Sequence, residues 1–250
     1  MSILETRNLT KDFSGFRAVD RVNLQLQEGL VHALVGPNGA GKTTLFNLLT
    51  GFLKPTSGQI LIFDHDVTHL RPDEIARQGV ARSFQITSLF EQLTALEHVI
   101  LALQSSTNDG YRFWSSDRLL DRYRPRAMEL LEQVGLADLA AHPVGHLPYG
   151  YKRALELSLA LALSPHLLLL DEPTAGMGIE DVQRTIALIR RIRTGRTVVL
   201  VEHNMGVVSE LADNVVVLQY GRIIAQGAYE AVREDPQVIA AYLGEAHAEG

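Results

Sequence analysis

The chain begins with a pattern typical of antiparallel β-structure. In residues 2–9 and 19–26 apolar and polar positions alternate, as in strands with one buried face. Residues 30–35 are instead a continuous apolar run that ends at a glycine, which is typical of a buried central strand. Residues 42–50 carry leucines at helical spacing. This part of the chain therefore predicts a strand, a tight turn and a helix in direct succession.

The middle of the chain has a different periodicity. Apolar residues recur every three or four positions from about residue 94 to residue 163, with a small polar stretch at 105–116. Beyond Pro165 strands and helices alternate again, and buried-type strands are predicted at 167–170, 197–201 and 215–218.

These patterns predict one α/β domain with a helical insert. The α/β core consists of residues 1–86 and 164–250, and the insert spans residues 87–163. No internal repeat or low-complexity segment is present in the sequence.

Composition narrows the function classes. The 250 residues are 46% hydrophobic and 21% charged, which is typical of a globular chain. Acidic residues outnumber basic ones by 29 to 23, and this balance argues against a nucleic-acid partner. The absence of cysteine excludes disulfides, thiolate metal sites and cysteine nucleophiles.

The sequence predicts no membrane segment of its own. A spanning helix needs about 20 mostly apolar residues. The most apolar stretch, 154–170, is interrupted by Glu156, Pro165 and His166, and the N-terminus lacks the apolar core of a signal peptide. We therefore expect a cytoplasmic chain whose membrane role, if it has one, comes through a partner.

A phosphate-binding motif follows the predicted central strand. Residues 36–44 fit the pattern G-x-x-x-x-G-K-[ST], which lets successive backbone N–H groups point at one anion. Lys42 is expected to reach the β- and γ-phosphates, and Thr43 to offer its hydroxyl to Mg²⁺. The alternative is a glycine-rich turn with a solvated lysine, but strand, loop and helix all favour the phosphate site. The expected nucleotide-binding positions are Gly36, Pro37, Asn38, Gly39, Ala40, Gly41, Lys42, Thr43 and Thr44.

Two carboxylates follow the leucine run at 167–170. Asp171 and Glu172 lie where the carboxyl end of a buried strand is predicted, and α/β proteins bind ligands at that edge. Asp171 is suited to hold Mg²⁺ through water, and Glu172 to polarise the attacking water. An acidic turn in solvent would be the better interpretation without the phosphate-binding motif.

With these two motifs the sequence resembles the ATP-binding subunits of ABC transporters over nearly its whole length. Gln85 follows Lys42 by 43 residues (85 − 42) and matches the glutamine of the family's Q-loop. His203 follows Glu172 by 31 residues (203 − 172) and matches the switch histidine. Phe13 occupies the place of the aromatic residue that stacks on adenine.

The resemblance extends to the family's signature motif, with departures. Residues 147–151, Leu-Pro-Tyr-Gly-Tyr, lie where L-S-G-G-Q is usual, so Pro148 replaces the serine and Tyr151 the glutamine. Proline has neither a hydroxyl nor an N–H. Gly150 and the start of the following helix still offer backbone donors and a helix dipole. Gly178 stands where the D-loop often has an aspartate, and that aspartate's role is transferred to no other residue.

The resemblance implies a fold, an activity and a mode of assembly. The fold is a RecA-like P-loop NTPase core with a mixed sheet, an N-terminal antiparallel β subdomain and an inserted helical subdomain that carries the signature. The activity is Mg²⁺-dependent ATP hydrolysis in a head-to-tail pair that encloses two ATP molecules, with Gly150 facing the partner's ATP. The implied catalytic residues are Lys42, Gln85, Glu172 and His203, and the implied metal ligands are Thr43, Gln85 and Asp171.

Within the superfamily the chain is most similar to importer subunits for branched-chain amino acids and related amides such as urea. Residues 79–85, 171–176 and 238–244 carry this likeness. It implies that the insert docks on membrane permease subunits at the inner face of the membrane, with an indirect link to a periplasmic binding protein. The pair is formed with a second copy or with a related subunit, and the sequence leaves the cargo open.

Two other functions compete with transport. A soluble ABC-type ATPase of DNA repair or translation is disfavoured, because the chain has neither a long coiled coil nor a second nucleotide domain. A scaffold without activity is disfavoured by the intact Lys42, Asp171, Glu172 and His203. Aromatic residues of the insert are candidates for permease contact, although local packing explains them equally well; they are Tyr111, Phe113 and Trp114.

Overall fold

The computed structural model describes residues 2–83, 89–105 and 117–246, and side chains within these ranges except at 117–120 and 243–246. The strands are β1 (Ser2–Phe13), β2 (Phe16–Gln27), β3 (Val31–Val35), β4 (Ser57–Ile62), β5 (His65–Asp66), β6 (Val80–Arg82), β7 (Leu167–Asp171), β8 (Thr197–Val201), β9 (Asn214–Gln219) and β10 (Arg222–Gly227). The α-helices are α1 (Lys42–Leu49), α2 (Pro72–Arg77), α3 (Ala95–Ser105), α4 (Asp117–Gln133), α5 (Tyr149–Ala162), α6 (Ile179–Ile192), α7 (Met205–Leu211), α8 (Tyr229–Arg233) and α9 (Pro236–Ala246).

The strands form two sheets. An antiparallel sheet of four strands has the order β2-β1-β4-β5, and a sheet of six has the order β10-β9-β3-β8-β7-β6. The larger sheet is parallel except for β10, which pairs antiparallel with β9. The mixed sheet and the antiparallel N-terminal sheet confirm the predicted P-loop NTPase fold class.

The strand order brings three loops together. β8 lies between β3 and β7, so the carboxyl ends of these strands lie side by side. The loop after β3 holds the predicted phosphate-binding motif, β7 ends at Asp171, and β8 is followed directly by residues 202–204. The topology therefore gathers residues that are distant in the sequence at one edge of the sheet.

The larger sheet is buried on both faces, which explains the continuous apolar runs of its strands. On β3, Val31, Ala33 and Val35 pack into the core that faces α3, α5 and α6, whereas Leu34 points the other way. Leu34 shares a second core with α1 and the antiparallel sheet. Helix α1, which begins at the phosphate-binding loop, is thus fixed between the two sheets.

Between β6 and β7 the described residues include the helices α3, α4 and α5. Helix α3 begins at a capping box in which Thr94 Oγ1 accepts from the N–H of Glu97 at 3.2 Å and Glu97 Oε2 accepts from the N–H of Thr94 at 2.7 Å. The hydrogen bonds that the Glu97 carboxylate accepts from the backbone N–H and the hydroxyl of Thr94 lower the pKa of Glu97. The predicted division into a core of 1–86 and 164–250 and an insert of 87–163 stays a prediction. Within the described residues, none of the helices combines the length and apolar character needed to cross a bilayer.

Candidate active site

The loop after β3 has a backbone that requires glycine. Gly36 has φ 146°, and a Cβ there would lie 2.1 Å from the carbonyl oxygen of Leu218. Gly41 has φ 101°, and its Cβ would lie 2.4 Å from the carbonyl oxygen of Ala18. Both contacts are shorter than non-bonded atoms tolerate, so these two glycines are fixed by close packing as well as by φ. Gly39, at φ 73°, faces open space.

The loop leads directly into α1. Gly41 is the N-cap of the helix, so the N–H groups of its first turn and its dipole point toward the loop. Lys42 is buried, and its Nζ donates to the carbonyl oxygens of Gly36 at 2.6 Å and Pro37 at 2.9 Å. Thr43 is exposed and Thr44 is half-buried, and Asn38 is exposed on the loop. This cradle with a lysine folded over it fits a bound phosphate chain.

The P-loop is braced by the hairpin between β9 and β10. The N–H of Gly221 donates to the carbonyl oxygen of Ala40 at 2.9 Å, and the carbonyl oxygen of Gly221 accepts from the N–H of Asp20 at 2.8 Å. Asp20 is buried and accepts from Arg222 Nε at 2.7 Å, a hydrogen bond that lowers the pKa of the Asp20 carboxyl. Arg17 also contacts this carboxylate, at 3.0 Å.

Asp171 ends β7 and is held by an arginine. Its Oδ2 accepts from Arg82 at 2.8 Å, and both side chains are largely buried. The Arg82 guanidinium also donates to Asn47 Oδ1 at 2.6 Å and lies 4.7 Å from the centre of the Phe46 ring. Arg82 therefore joins β6, α1 and the carboxylate that is expected to serve the metal.

The oxygen atoms of Thr43 and Asp171 are of the kind that binds Mg²⁺. Within the described residues, no group of three His, Asp or Glu side chains forms a protein metal cage. Mg²⁺ prefers one or two protein oxygens together with phosphate oxygens and water. The Thr43 hydroxyl and the Asp171 carboxylate supply ligands of that kind. Gln85, the third expected metal contact, lies outside the described residues.

Glu172 and His203 form a direct contact at the ends of β7 and β8. Glu172 Oε1 lies 2.6 Å from His203 Nε2, and the imidazole is half exposed. Glu172 has φ 44°, a left-handed conformation that is uncommon outside glycine and asparagine. A residue held this way in a loop is typical of functional sites whose surroundings fix the backbone.

Arg153 of α5 supports the backbone beneath this pair. Its side chain is buried, donates to Glu156 Oε2 at 2.6 Å, and donates to the carbonyl oxygen of Asp171 at 3.0 Å. A second contact reaches the carbonyl oxygen of Glu172 at 3.5 Å. The helix that follows the signature segment thus touches the two acidic residues through their main chain.

The signature segment places Gly150 in the first turn of α5. Pro148 is the N-cap of this helix and is exposed, as are Tyr149 and Tyr151. A Cβ on Gly150 would lie 3.0 Å from Oδ1 of Asp181 in α6. The segment therefore presents a helix N-terminus, and a side chain at its glycine would require the Asp181 carboxylate to shift.

Phe13 is the last residue of β1 in the antiparallel sheet. It is 42% exposed, and Lys11 Nζ lies 5.2 Å from the centre of its ring. Phe13 pairs with Phe16 across a tight turn, so two exposed aromatic rings border the same hairpin.

The structure brings together most of the residues that the sequence singled out. The loop of residues 36–44 follows β3, Asp171 and Glu172 lie at the end of β7, and His203 lies just after β8, which separates β3 from β7. Sequence reasoning missed Arg82, Arg153 and Glu202. A charged residue within an otherwise apolar segment was the available signal for Arg82 and Glu202, whereas Arg153 lies among other polar residues and gave none.

A phosphate-binding loop, a carboxylate suited to Mg²⁺ and a glutamate–histidine pair define a P-loop nucleotide hydrolase. The sequence profile of the ABC transporter family matches residues 19–175, and that of the branched-chain amino acid ATP-binding cassette transporter matches residues 222–248. The chain is 40% identical over 254 residues to the high-affinity branched-chain amino acid transport ATP-binding protein BraF of Pseudomonas aeruginosa, covering 98% of each chain. It is 38% identical to the corresponding protein LivG of Escherichia coli K12, again over 98% of each chain.

Solved structures of ABC transporter cassettes have the same fold as this chain. An ATP-binding cassette of an ABC transporter in its ADP conformation superposes with a TM-score of 0.86 at 29% identity, covering 98% of this chain and 99% of the other. A dimeric cassette in a post-hydrolysis state, bound to ADP and Pi, gives a TM-score of 0.75 at 28% identity over 90% and 98%. This chain belongs to the ATP-binding subunits of ABC transporters, and it is an ATPase. The relatives do not favour the alternative of a repair or translation ATPase.

Proposed function

We propose that this ATPase powers the import of branched-chain amino acids through a membrane permease. The observation that carries the proposal is the match of residues 222–248 to the branched-chain amino acid cassette profile, because this segment lies beyond the motifs common to all cassettes. The names of BraF and LivG support the same substrate class. Urea and short amides are the competing substrates.

In the proposed binding mode the P-loop holds the triphosphate. Backbone N–H groups of the loop and of the first turn of α1 face the β- and γ-phosphates, and Lys42 moves its ammonium from the carbonyls of Gly36 and Pro37 onto them. Phe13 stacks on the adenine. Bound Mg²⁺, held by Thr43, Asp171 and Gln85, would neutralise charge on the phosphate oxygens.

Glu172 and His203 perform the proposed chemistry. Glu172 accepts a hydrogen bond from the attacking water and aligns it with the γ-phosphorus, and it takes up the proton as the bond to phosphorus forms. His203, which contacts Glu172 Oε1, holds this carboxylate and faces the γ-phosphate. The bond between the γ-phosphorus and the β,γ-bridging oxygen breaks, which leaves ADP and inorganic phosphate.

The proposed working unit is a head-to-tail dimer. One side of a γ-phosphate on the P-loop is open to water, and the partner's α5 N-terminus at Gly150 would cover it. The dimeric cassette with ADP and Pi is a precedent among the solved structures. We place this dimer at the cytoplasmic face of the membrane, on permease subunits that receive cargo from a binding protein outside. Nucleic acid has no part in this proposal.

Transport assays in the organism that carries this gene test the proposal. Deletion of the gene should lower the uptake of labelled leucine, isoleucine and valine at low external concentration, and wild type supplied in trans should restore it. Lys42→Ala should not restore it, because it removes the cation that holds the triphosphate. Urea and acetamide uptake are measured in the same strains. Unchanged leucine uptake with lost amide uptake would overturn the substrate assignment.

A further inference from the structure

The carboxylate of Glu202 lies buried between the loops that follow β7 and β8. Only 2% of this residue is exposed. Its Oε1 accepts from Thr174 twice, from Oγ1 at 2.6 Å and from the backbone N–H at 3.1 Å. Its Oε2 lies 3.5 Å from the backbone nitrogen of Asn204. One side chain thus connects the loop after Glu172 with the start of α7 after His203.

Burial of this carboxylate is costly. An ionised carboxylate loses its hydration when it is buried, and a counterion or several hydrogen bonds must compensate. In the part of the chain that the structure describes, Glu202 forms no ion pair with Lys, Arg or His. The hydrogen bonds that Glu202 accepts from Thr174 and Asn204 supply that compensation, and they tie both loops to this one side chain.

The hydrogen-bond partners of Glu202 are close in the sequence to Glu172 and His203. Thr174 is two positions after Glu172, and Asn204 is one position after His203. The backbone N–H of Glu172 also donates to the carbonyl oxygen of Val201 at 3.0 Å, immediately before Glu202. Glu172 holds φ 44°, and such a backbone persists only where its surroundings determine it.

We infer that Glu202 is a positioning residue that fixes the Glu172 carboxylate against the His203 imidazole through Thr174 and Asn204. Glu202 is not itself a base, because its oxygens are buried and directed at donors of the two loops. The inference rests on the proposed roles of Glu172 and His203 in hydrolysis. It predicts that weakening the Glu202–Thr174 contact slows the chemical step and leaves ATP binding intact.

Three single variants of the full chain test the positioning role of Glu202. Glu202→Gln keeps the shape and replaces one accepting oxygen by an amide that donates. Thr174→Val removes the hydroxyl donor at nearly constant volume, and Thr174→Ser is the matched control that keeps it. We expect kcat to fall on the order of 10- to 100-fold in Glu202→Gln, because a displacement of about 1 Å at a reacting group costs this much. The kcat of Thr174→Val should also fall, whereas the kcat of Thr174→Ser should stay close to that of wild type. In all three variants the KM for ATP should change less than twofold.

A double-mutant cycle separates positioning from a general structural effect. If Glu202 acts through Glu172, adding Glu202→Gln to Glu172→Gln should slow single-turnover hydrolysis no further. Three outcomes would overturn the inference and leave the proposed function standing. They are additive losses of hydrolysis rate in the double variant, a rise in KM at constant kcat, and wild-type rates in both Glu202→Gln and Thr174→Val. Wild-type turnover in Glu172→Gln would overturn the proposed role of Glu172 itself. If Glu202→Gln does not fold, the Thr174→Val and Thr174→Ser pair decides alone, in wild type and in Glu172→Gln.

Discussion

The Glu172 carboxylate contacts the imidazole of His203 at 2.6 Å, although the two residues lie at the ends of different strands. The neighbouring positions of β7 and β8 in the sheet make the contact possible. A carboxylate in this position is available to polarise water, whereas the phosphate-binding loop follows a different strand, β3. We therefore expect loss of the Glu172 carboxylate to affect turnover more than nucleotide binding.

Glu172→Gln should bind Mg·ATP and hydrolyse it at least about 100-fold more slowly than wild type, within the range expected for loss of a general base. The variant also loses a negative charge near the triphosphate, so it should accumulate as an ATP-bound dimer. Size-exclusion chromatography with ATP, run beside wild type, measures both effects. Wild-type rates would leave His203 as the leading alternative, whereas slow turnover without a dimer would count against a closed pair of two copies.

Phe13→Ala should weaken ATP binding, because stacking of a base on an aromatic ring contributes about 1–3 kcal/mol in comparable sites. Phe16→Ala is the matched control, since this ring lies across the same turn. Titration with a fluorescent ATP analogue gives both affinities. A larger loss in Phe16→Ala than in Phe13→Ala would exchange the roles of the two residues.

Pro148→Ser and Gly150→Asp should differ strongly. Pro148 is exposed and contributes only its backbone to the N-terminus of α5, so Pro148→Ser should keep ATPase activity or raise it. Gly150→Asp should abolish it, because the new side chain would meet the Asp181 carboxylate, with its Cβ only 3.0 Å from Oδ1, and would bring negative charge toward the partner's γ-phosphate. Steady-state ATPase rates compare the two. Equal tolerance would mean that this segment does not close over ATP.

Arg82→Met should destabilise the fold by about 3–5 kcal/mol, the usual cost of leaving one partner of a buried ion pair uncompensated. Methionine keeps apolar contact with Phe46 but leaves the Asp171 carboxylate without its 2.8 Å partner. Adding Asp171→Asn should recover part of the loss, because it removes the unpaired charge. Urea unfolding of the two variants and wild type gives the comparison. A loss in Arg82→Met that Asp171→Asn leaves unchanged would show that the ion pair is not its source.

His32 should make the stability depend on pH. The residue is buried on β3 with Nε2 2.9 Å from the carbonyl oxygen of Gln27, and burial lowers its pKa below the ordinary 6.5. The unfolded chain therefore takes up a proton first as the pH falls, and folding free energy is lost from near pH 6.5 downward, by at most about 1.4 kcal/mol per pH unit. His32→Gln should flatten this slope between pH 7.5 and 5.5. An unchanged slope would assign it to other groups.

The sequence predicted the fold and most of the site because both rest on local patterns. Alternation predicted β1 and β2, and a glycine-rich turn after an apolar run predicted the P-loop, where the φ values of Gly36 and Gly41 show why this backbone requires glycine. The end of the apolar run at 167–170 located Glu172, and the resemblance to the ABC family located His203. These signals arise within short segments, so one sequence was sufficient to detect them.

The supporting contacts were not predictable in the same way. Arg82 reaches Asp171 across 89 positions and Glu202 reaches Thr174 across 28. Neither spacing has a periodicity, and each contact exists only because the strand order places β6 beside β7 and β7 beside β8. Buried charges become interpretable once the sheet is known, since only then are their partners apparent.

Gly221 has a consequence for how the protein is made. Its backbone bridges Ala40 of the P-loop and Asp20 of β2, and a Cβ there would lie 2.7 Å from the carbonyl oxygen of Ala18. During translation the P-loop emerges about 180 residues before this brace (221 − 40 = 181), so the nascent chain lacks these two hydrogen bonds until residue 221 has been added. A chain truncated before residue 221 would therefore contain the P-loop, Asp171, Glu172 and His203 but would lack the hydrogen bond that Gly221 donates to Ala40.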